Sequence, residues 1–242
     1  MRVRIAAAVL GYTLLGASGA AGQPAQLAGP AEVVIFVPNT LKSTDFIGPL
    51  VCALERVLVA PVATLKISLP LSRDMLATAT QFDVRKVAES FEQATAREGG
   101  NSTFKYLLLP YDLKDRPFNY VFATSYGNRT TTSRLGIIST ARLDVSDPTV
   151  EHHTGADLTA LRVYKLMLKS IARLAGLASP DRCILAFPRS LPELDRKSAE
   201  FCADDHDALV GAAILKADES DTSDCMAISE YRDIGRFASG AN

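Results

Sequence analysis

Three cations recur at intervals of four in the second half of the chain, Lys165, Lys169 and Arg173, with Arg162 close by. Residues four apart share one side of an α-helix. A helix here would carry a positive face able to hold a carboxylate, a phosphate or an acidic peptide segment. The plainer alternatives are a solvated face, or pairing with Asp181, Glu193 or Asp195. The three histidines are His152, His153 and His206. The first two are neighbours at an expected loop and the third opens the last expected helix. They bind a metal only if folding gathers them, and otherwise are surface groups. Four cysteines complete the reactive set: Cys52, Cys183, Cys202 and Cys225. An even count favours disulfides in an exported chain, with three connectivities open, a Cys52–Cys225 pairing among them. Cys52, inside an apolar helical stretch, reads equally as a buried thiol.

The elements that must position these groups follow from the hydrophobic period. Residues 32–37 (EVVIFV), 62–69 and 104–109 (FKYLLL) read as strands. Residues 119–124 and 134–140 read as a hairpin joined by the polar segment 126–133. Helical spacing covers 46–59, where Ser43, Thr44 and Asp45 offer a cap, and 83–98, ended by Gly99 and Gly100. A long helix spans 157–177 with Gly176 near its C-terminal end, followed by helices over 191–197 and 203–216. Strands first and helices later indicate an α+β domain.

The chain has 242 residues, 26 Lys+Arg against 27 Asp+Glu, 48% hydrophobic residues and no Trp. These values exclude a disordered tail protein and a highly basic nucleic-acid binder. No nucleic-acid partner is expected. Arg2 and Arg4, an apolar run over 5–15 and small residues through Gly22 predict a signal peptide over 1–22, cut near Ala21. The run is too short to span a bilayer, so no membrane association is expected after cleavage. Residues 23–30 then form a linker, 31–216 the domain, and 217–242 an acidic, flexible tail. The mature chain carries a net charge of −3, from 24 Lys+Arg against 27 acids. Its expected location is secreted or periplasmic, an oxidising setting. Asn101-Ser102-Thr103 and Asn128-Arg129-Thr130 are glycosylation sequons, meaningful only in a eukaryotic secretory pathway.

Cys183, Phe187, Ser190, Glu193, Asp195, Lys197, Phe201 and Cys202 reproduce a spacing of the form C-x-M-x-F-S-x-S, then E-x-D-x-K-x-x-x-F-C. With Tyr111-Asp112-Leu113, Phe118 to Phe122 and Ile137 to Leu143 upstream, the chain resembles the archaemetzincins, a family of zinc metallopeptidases. The resemblance covers nearly all of the mature chain. It implies a metzincin-like (zincin) domain: a mixed twisted sheet, packed helices and a mainly helical C-terminal half.

In that family a helix carries H-E-x-x-H-x-x-G-x-x-H, where the histidines ligate zinc and the glutamate is the general base. Anchored on Gly176, the resemblance puts Lys169 at the first His position, Ser170 at the Glu, Arg173 at the second His and Ser179 at the third. Leu185 falls at the methionine of the Met-turn. A cation has no lone pair for a metal, so zinc is expected to be lost and no other cofactor is implied. The family's second metal site keeps only Cys183 and Cys202, which implies a disulfide between them in place of structural zinc. The helix face of Arg162, Lys165, Lys169 and Arg173 would then look into the former active-site cleft. Tyr111, Asp112, Asn119 and Tyr120 would stand at its upper rim, either binding a peptide by strand addition or serving turn chemistry and packing. The expected function is a secreted pseudopeptidase whose cationic cleft binds an unknown protein or acidic peptide. The alternatives are an active zinc metallopeptidase with relocated ligands, through His152, His153 or His206, and a structural envelope protein whose cleft is unused.

Overall fold

A computed structural model describes residues 27–127, 133–143, 152–218 and 222–226, with backbone only at 152–154. The signal peptide over 1–22, the sequon at Asn128 and most of the acidic tail lie outside the described residues.

The sheet is built on two runs that are apolar on both faces, as parallel strands covered by helices must be. These are β1 (Glu32–Pro38) and β4 (Thr103–Leu109). With β2 (Val62–Ile67), β6 (Ala123–Tyr126) and β7 (Arg134–Ser139) they form five strands in the order β2-β1-β4-β7-β6. The first four run parallel and β6 closes one edge antiparallel to β7. A two-stranded ribbon, β3 (Gln81–Asp83) with β5 (Asp112–Lys114), stands apart from the main sheet. The sheet is therefore mixed, as expected. Among the described residues no strand follows Ser139, so the C-terminal half is helical.

Alternation along each strand sends side chains into two cores. Val33, Ile35, Phe104, Tyr106 and Leu108 pack against α1 (Ile47–Val57) and the long α3 (His152–Ala175). Val34, Phe36, Leu107, Leu109 and Ile137 pack against α2 (Val84–Ala94) on the opposite face. The Asp83 carboxylate caps α2 by accepting from the Arg85 N–H at 3.0 Å. Gly136 is required by the Tyr106 ring, since a Cβ there would lie 2.2 Å from Tyr106 Cε1. Gly176, at φ +100°, ends α3 in the left-handed turn that glycine permits, and the Leu177 N–H reaches back to the Ala172 carbonyl.

Several boundaries differ from expectation. Helix α3 starts at His152 rather than 157. The hairpin strand expected from 119 starts at Ala123, because Val121 instead bridges Leu113. The helix expected over 203–216 is α5 (Ala203–Gly211); the chain then turns, and Leu215 bridges Leu58. The linker expected over 23–30 is docked where it is described. The Ala28 N–H donates to the Ala175 carbonyl at 2.9 Å, and the Ala28 carbonyl accepts from Arg134 at 3.1 Å. The tail expected to be flexible from 217 is pinned at 222–226 by a Cys52–Cys225 disulfide, beside buried Met226. Cys52 is therefore not a free thiol.

Candidate functional site

Helix α3 is buried around nearly its whole circumference, and one stripe of it forms the floor of a groove of about 560 Å³. Leu166, Lys169, Ser170 and Arg173 make that stripe. Their spacing of three and four is one helical face. Residues 118–125, which lead into and form edge strand β6, supply one wall, and residues 187–189 supply the other. Phe118 and Phe187 are both 45% exposed, and their rings meet across the groove at 5.3 Å. Arg189 adds a third cation to the lining.

Asp181 governs the floor's charge. Its carboxylate accepts from Arg173 Nη2 at 2.7 Å and stands 3.7 Å from Lys169 Nζ. Arg173 also donates to the Leu177 carbonyl. The Lys169 ammonium sits 5.3 Å from the Phe187 ring centroid, a cation–π contact. Burial pulls the Lys169 pKa down, while Asp181 opposes that shift. Ser170 belongs to a chain of hydroxyls: Tyr106 donates to its Oγ at 3.0 Å, and Ser125 Oγ lies 2.6 Å away. Burial raises the Tyr106 phenol well above its ordinary pKa, so it stays a donor.

Two residues expected to face the cleft do not. Arg162 is buried, bound to Asp195 and to the Leu143 carbonyl. Lys165 is 2% exposed and donates to the carbonyls of Leu194 at 3.2 Å and Asp195 at 2.9 Å. Burial pushes its ammonium down to about 8, against the pull of Asp195. At 3.6 residues per turn each step of four advances about 40°, so two steps rotate Lys165 away from Arg173 by about 80°. That rotation turns Lys165 onto the short helix α4 (Leu191–Arg196), whereas Arg162, only about 20° from Arg173 in projection, lies about three turns nearer the start of α3 and there meets Asp195 and the Leu143 carbonyl instead of the groove.

The remaining expected positions are scattered. Ser179 donates to Asp205, whose other oxygen faces Arg182 at 3.8 Å. Leu185 is buried in the short turn Cys183–Leu185. Cys183 and Cys202 form a disulfide. His206 lies on α5, partly exposed and 3.7 Å from Asp207. His152 and His153 begin α3, and their side chains lie outside the described residues. Among the described residues no group of three or more His, Cys, Asp or Glu is placed to hold a metal ion. On the expected rim, Asn119 and Tyr120 line the groove. Tyr111 packs on Phe82, and Asp112 is held by Arg142 at 2.6 and 2.9 Å. The Arg142 guanidinium covers the Tyr120 ring at 4.1 Å, and the Tyr120 hydroxyl donates to the Arg189 carbonyl. Sequence reasoning missed the facing of Phe118 on Phe187 and the part of Ser125. Neither has a local signature, since each contact joins distant segments.

No family model and no curated protein matches the chain. Solved structures do. An archaemetzincin from Methanopyrus kandleri superposes with a TM-score of 0.57 at 21% identity, over 75% of this chain and 94% of its own. The archaemetzincin from Archaeoglobus fulgidus, solved with malonate, gives 0.54 at 18% identity, over 73% and 99%. A zinc-dependent peptidase from Methanocorpusculum labreanum gives 0.55 at 21%, over 73% and 99%. The fold is that of the archaemetzincins.

Proposed function

We propose that the chain is an exported protein that keeps the archaemetzincin fold without its zinc chemistry, and that uses the groove over α3 to bind an acidic peptide segment. The observation that carries this reading is the stripe Lys169, Ser170 and Arg173 on the groove floor. On the resemblance, these stand where the family places His, Glu and His. The donor set does not fit zinc: an ammonium and a guanidinium offer no lone pair, and a serine hydroxyl does not replace a carboxylate base at neutral pH. The same groups suit an anion. An acidic peptide could exchange its carboxylates for that of Asp181 on Arg173 and Lys169, lay apolar side chains between Phe118 and Phe187, and extend along edge strand β6. Two disulfides suit an oxidising compartment, and among the described residues no helix is long and apolar enough to cross a membrane.

A second reading has its own observation. Asp181 already pairs with both floor cations. That favours an interaction protein of an envelope compartment whose groove is not a site.

The test combines metal analysis of the oxidised, secreted protein with titration of a fluorescent glutamate-rich peptide and of malonate. The first reading expects substoichiometric zinc and peptide binding that weakens at least tenfold in Lys169→Glu with Arg173→Glu. Binding unchanged by that reversal would transfer support to the second reading. Stoichiometric zinc with chelator-sensitive cleavage would replace both with a peptidase of relocated ligands.

A further inference from the structure

Tyr106, Gly136 and Ser125 stand in one row across three neighbouring strands. Strand β4 pairs Tyr106 with Gly136, and β6 pairs Ser125 with the same Gly136. Side chains in such a row point to one face of the sheet, here the face that α3 covers. Gly136 carries no side chain, and the Tyr106 ring lies where its Cβ would be. The phenol reaches Ser170 Oγ on α3 at 3.0 Å, and Ser125 Oγ lies 2.6 Å from that same oxygen. Tyr106 is fully buried, Ser170 is 5% exposed, and Ser125 is exposed in the groove wall.

The three hydroxyls therefore run from core to groove, and the buried end sets their direction. Burial keeps the Tyr106 phenol protonated. Among the described residues its proton has one acceptor, Ser170 Oγ, and leaving that bond unmade would strand a buried donor. Ser170 accepts there and sends its own proton to Ser125, the other hydrogen-bond partner that the described residues give its hydroxyl. Ser125 Oγ accepts from Ser170, so its own proton points away from the chain of hydroxyls and into the groove. A lone serine turns either way, whereas this one is held as a donor.

We propose that Ser125 is a specificity-determining residue of the groove: a hydroxyl held as a donor by Tyr106, through Ser170, that selects a carboxylate over a carboxamide. This rests on the groove being an anion-binding site. Lys169 and Arg173 on its floor have only donors to offer, and Ser125 on its wall adds another. A carboxylate accepts through both oxygens. A carboxamide of the same shape brings an NH2 group, whose hydrogens meet those donors with nothing to receive them. The groove therefore favours glutamate side chains over glutamine.

The experiment titrates the full oxidised protein with two fluorescent peptides, one glutamate-rich and one with every glutamate replaced by glutamine. The expected preference for the glutamate peptide falls about tenfold in Ser125→Ala, the size of one hydrogen bond to a charged group. Ser125→Thr, which keeps the hydroxyl, retains it. Tyr106→Phe alters no group that touches the peptide, yet should lower the preference several-fold, because Ser170 can then accept from Ser125 and draw its proton inward. Thermal unfolding checks that each variant is folded. A preference that depends on Lys169 and Arg173 but survives Ser125→Ala or Tyr106→Phe would overturn this inference and spare the anion-binding groove. Absence of glutamate-peptide binding by the unaltered protein, or binding indifferent to Lys169→Glu with Arg173→Glu, would overturn both.

Discussion

The guanidinium of Arg162 and the carboxylate of Asp195 form a two-pronged ion pair, with Nε–Oδ1 at 2.7 Å and Nη2–Oδ2 at 2.8 Å, both residues buried. The pair joins α3 to α4, and Lys165 reinforces the joint by donating to the Asp195 carbonyl. Removing one partner leaves a buried charge uncompensated. Asp195→Ala is therefore expected to destabilise by about 3–5 kcal/mol, and the double replacement Arg162→Met with Asp195→Leu to recover much of that. Denaturant unfolding of the single and double variants measures both.

The Cys183–Cys202 disulfide spans 19 residues, and Cys52–Cys225 spans 173. Loop-closure entropy assigns about 3 kcal/mol to the first and about 5 kcal/mol to the second. Replacing each pair by alanine should lower the denaturant midpoint, more for the Cys52–Cys225 pair. An equal or reversed order would show that native-state contacts outweigh loop entropy here.

Ser170→Ala removes the acceptor of the buried Tyr106 hydroxyl and the neighbour of Ser125. An unsatisfied buried hydroxyl costs about 1–3 kcal/mol. The variant should lose stability in that range, and adding Tyr106→Phe should restore part of it in a double-mutant cycle.

Burial of Lys197, 6% exposed just after α4, sets the sign of an expected pH dependence. Its folded pKa is held near 7, below the ordinary lysine value of 10.5. Between those values the unfolded chain binds more protons, so stability attributable to this residue rises with pH. The penalty is complete below about pH 7 and gone above the unfolded pKa. Lys197→Met should therefore stabilise the protein by about 3 kcal/mol at slightly acid pH. The gain should shrink as the pH climbs toward the unfolded pKa. Thermal unfolding across that interval supplies the measurement.

Much of this protein is legible in its own sequence. The apolar runs of β1 and β4, the Asp83 cap of α2, and the Gly176 end of α3 depend on neighbours a few residues away. So does the spacing that puts Lys169 and Arg173 on one helical face, and the structure turns that face into the groove. The pairing of Cys183 with Cys202 is legible through resemblance to a known spacing and not through periodicity.

Tertiary structure alone decided the rest. A helix of 24 residues presents every side to some neighbour, and only packing determines which side meets solvent, the sheet or α4. That is why Arg162 and Lys165, cations in the same series as Lys169, became buried struts. The joining of Cys52 to Cys225, the docking of residues 27–30 and the unpartnered Lys197 amine are likewise long-range outcomes. Local periodicity encodes which residues share a face; the identity of what lies opposite is set by chain segments far away, through burial and desolvation that no short window contains.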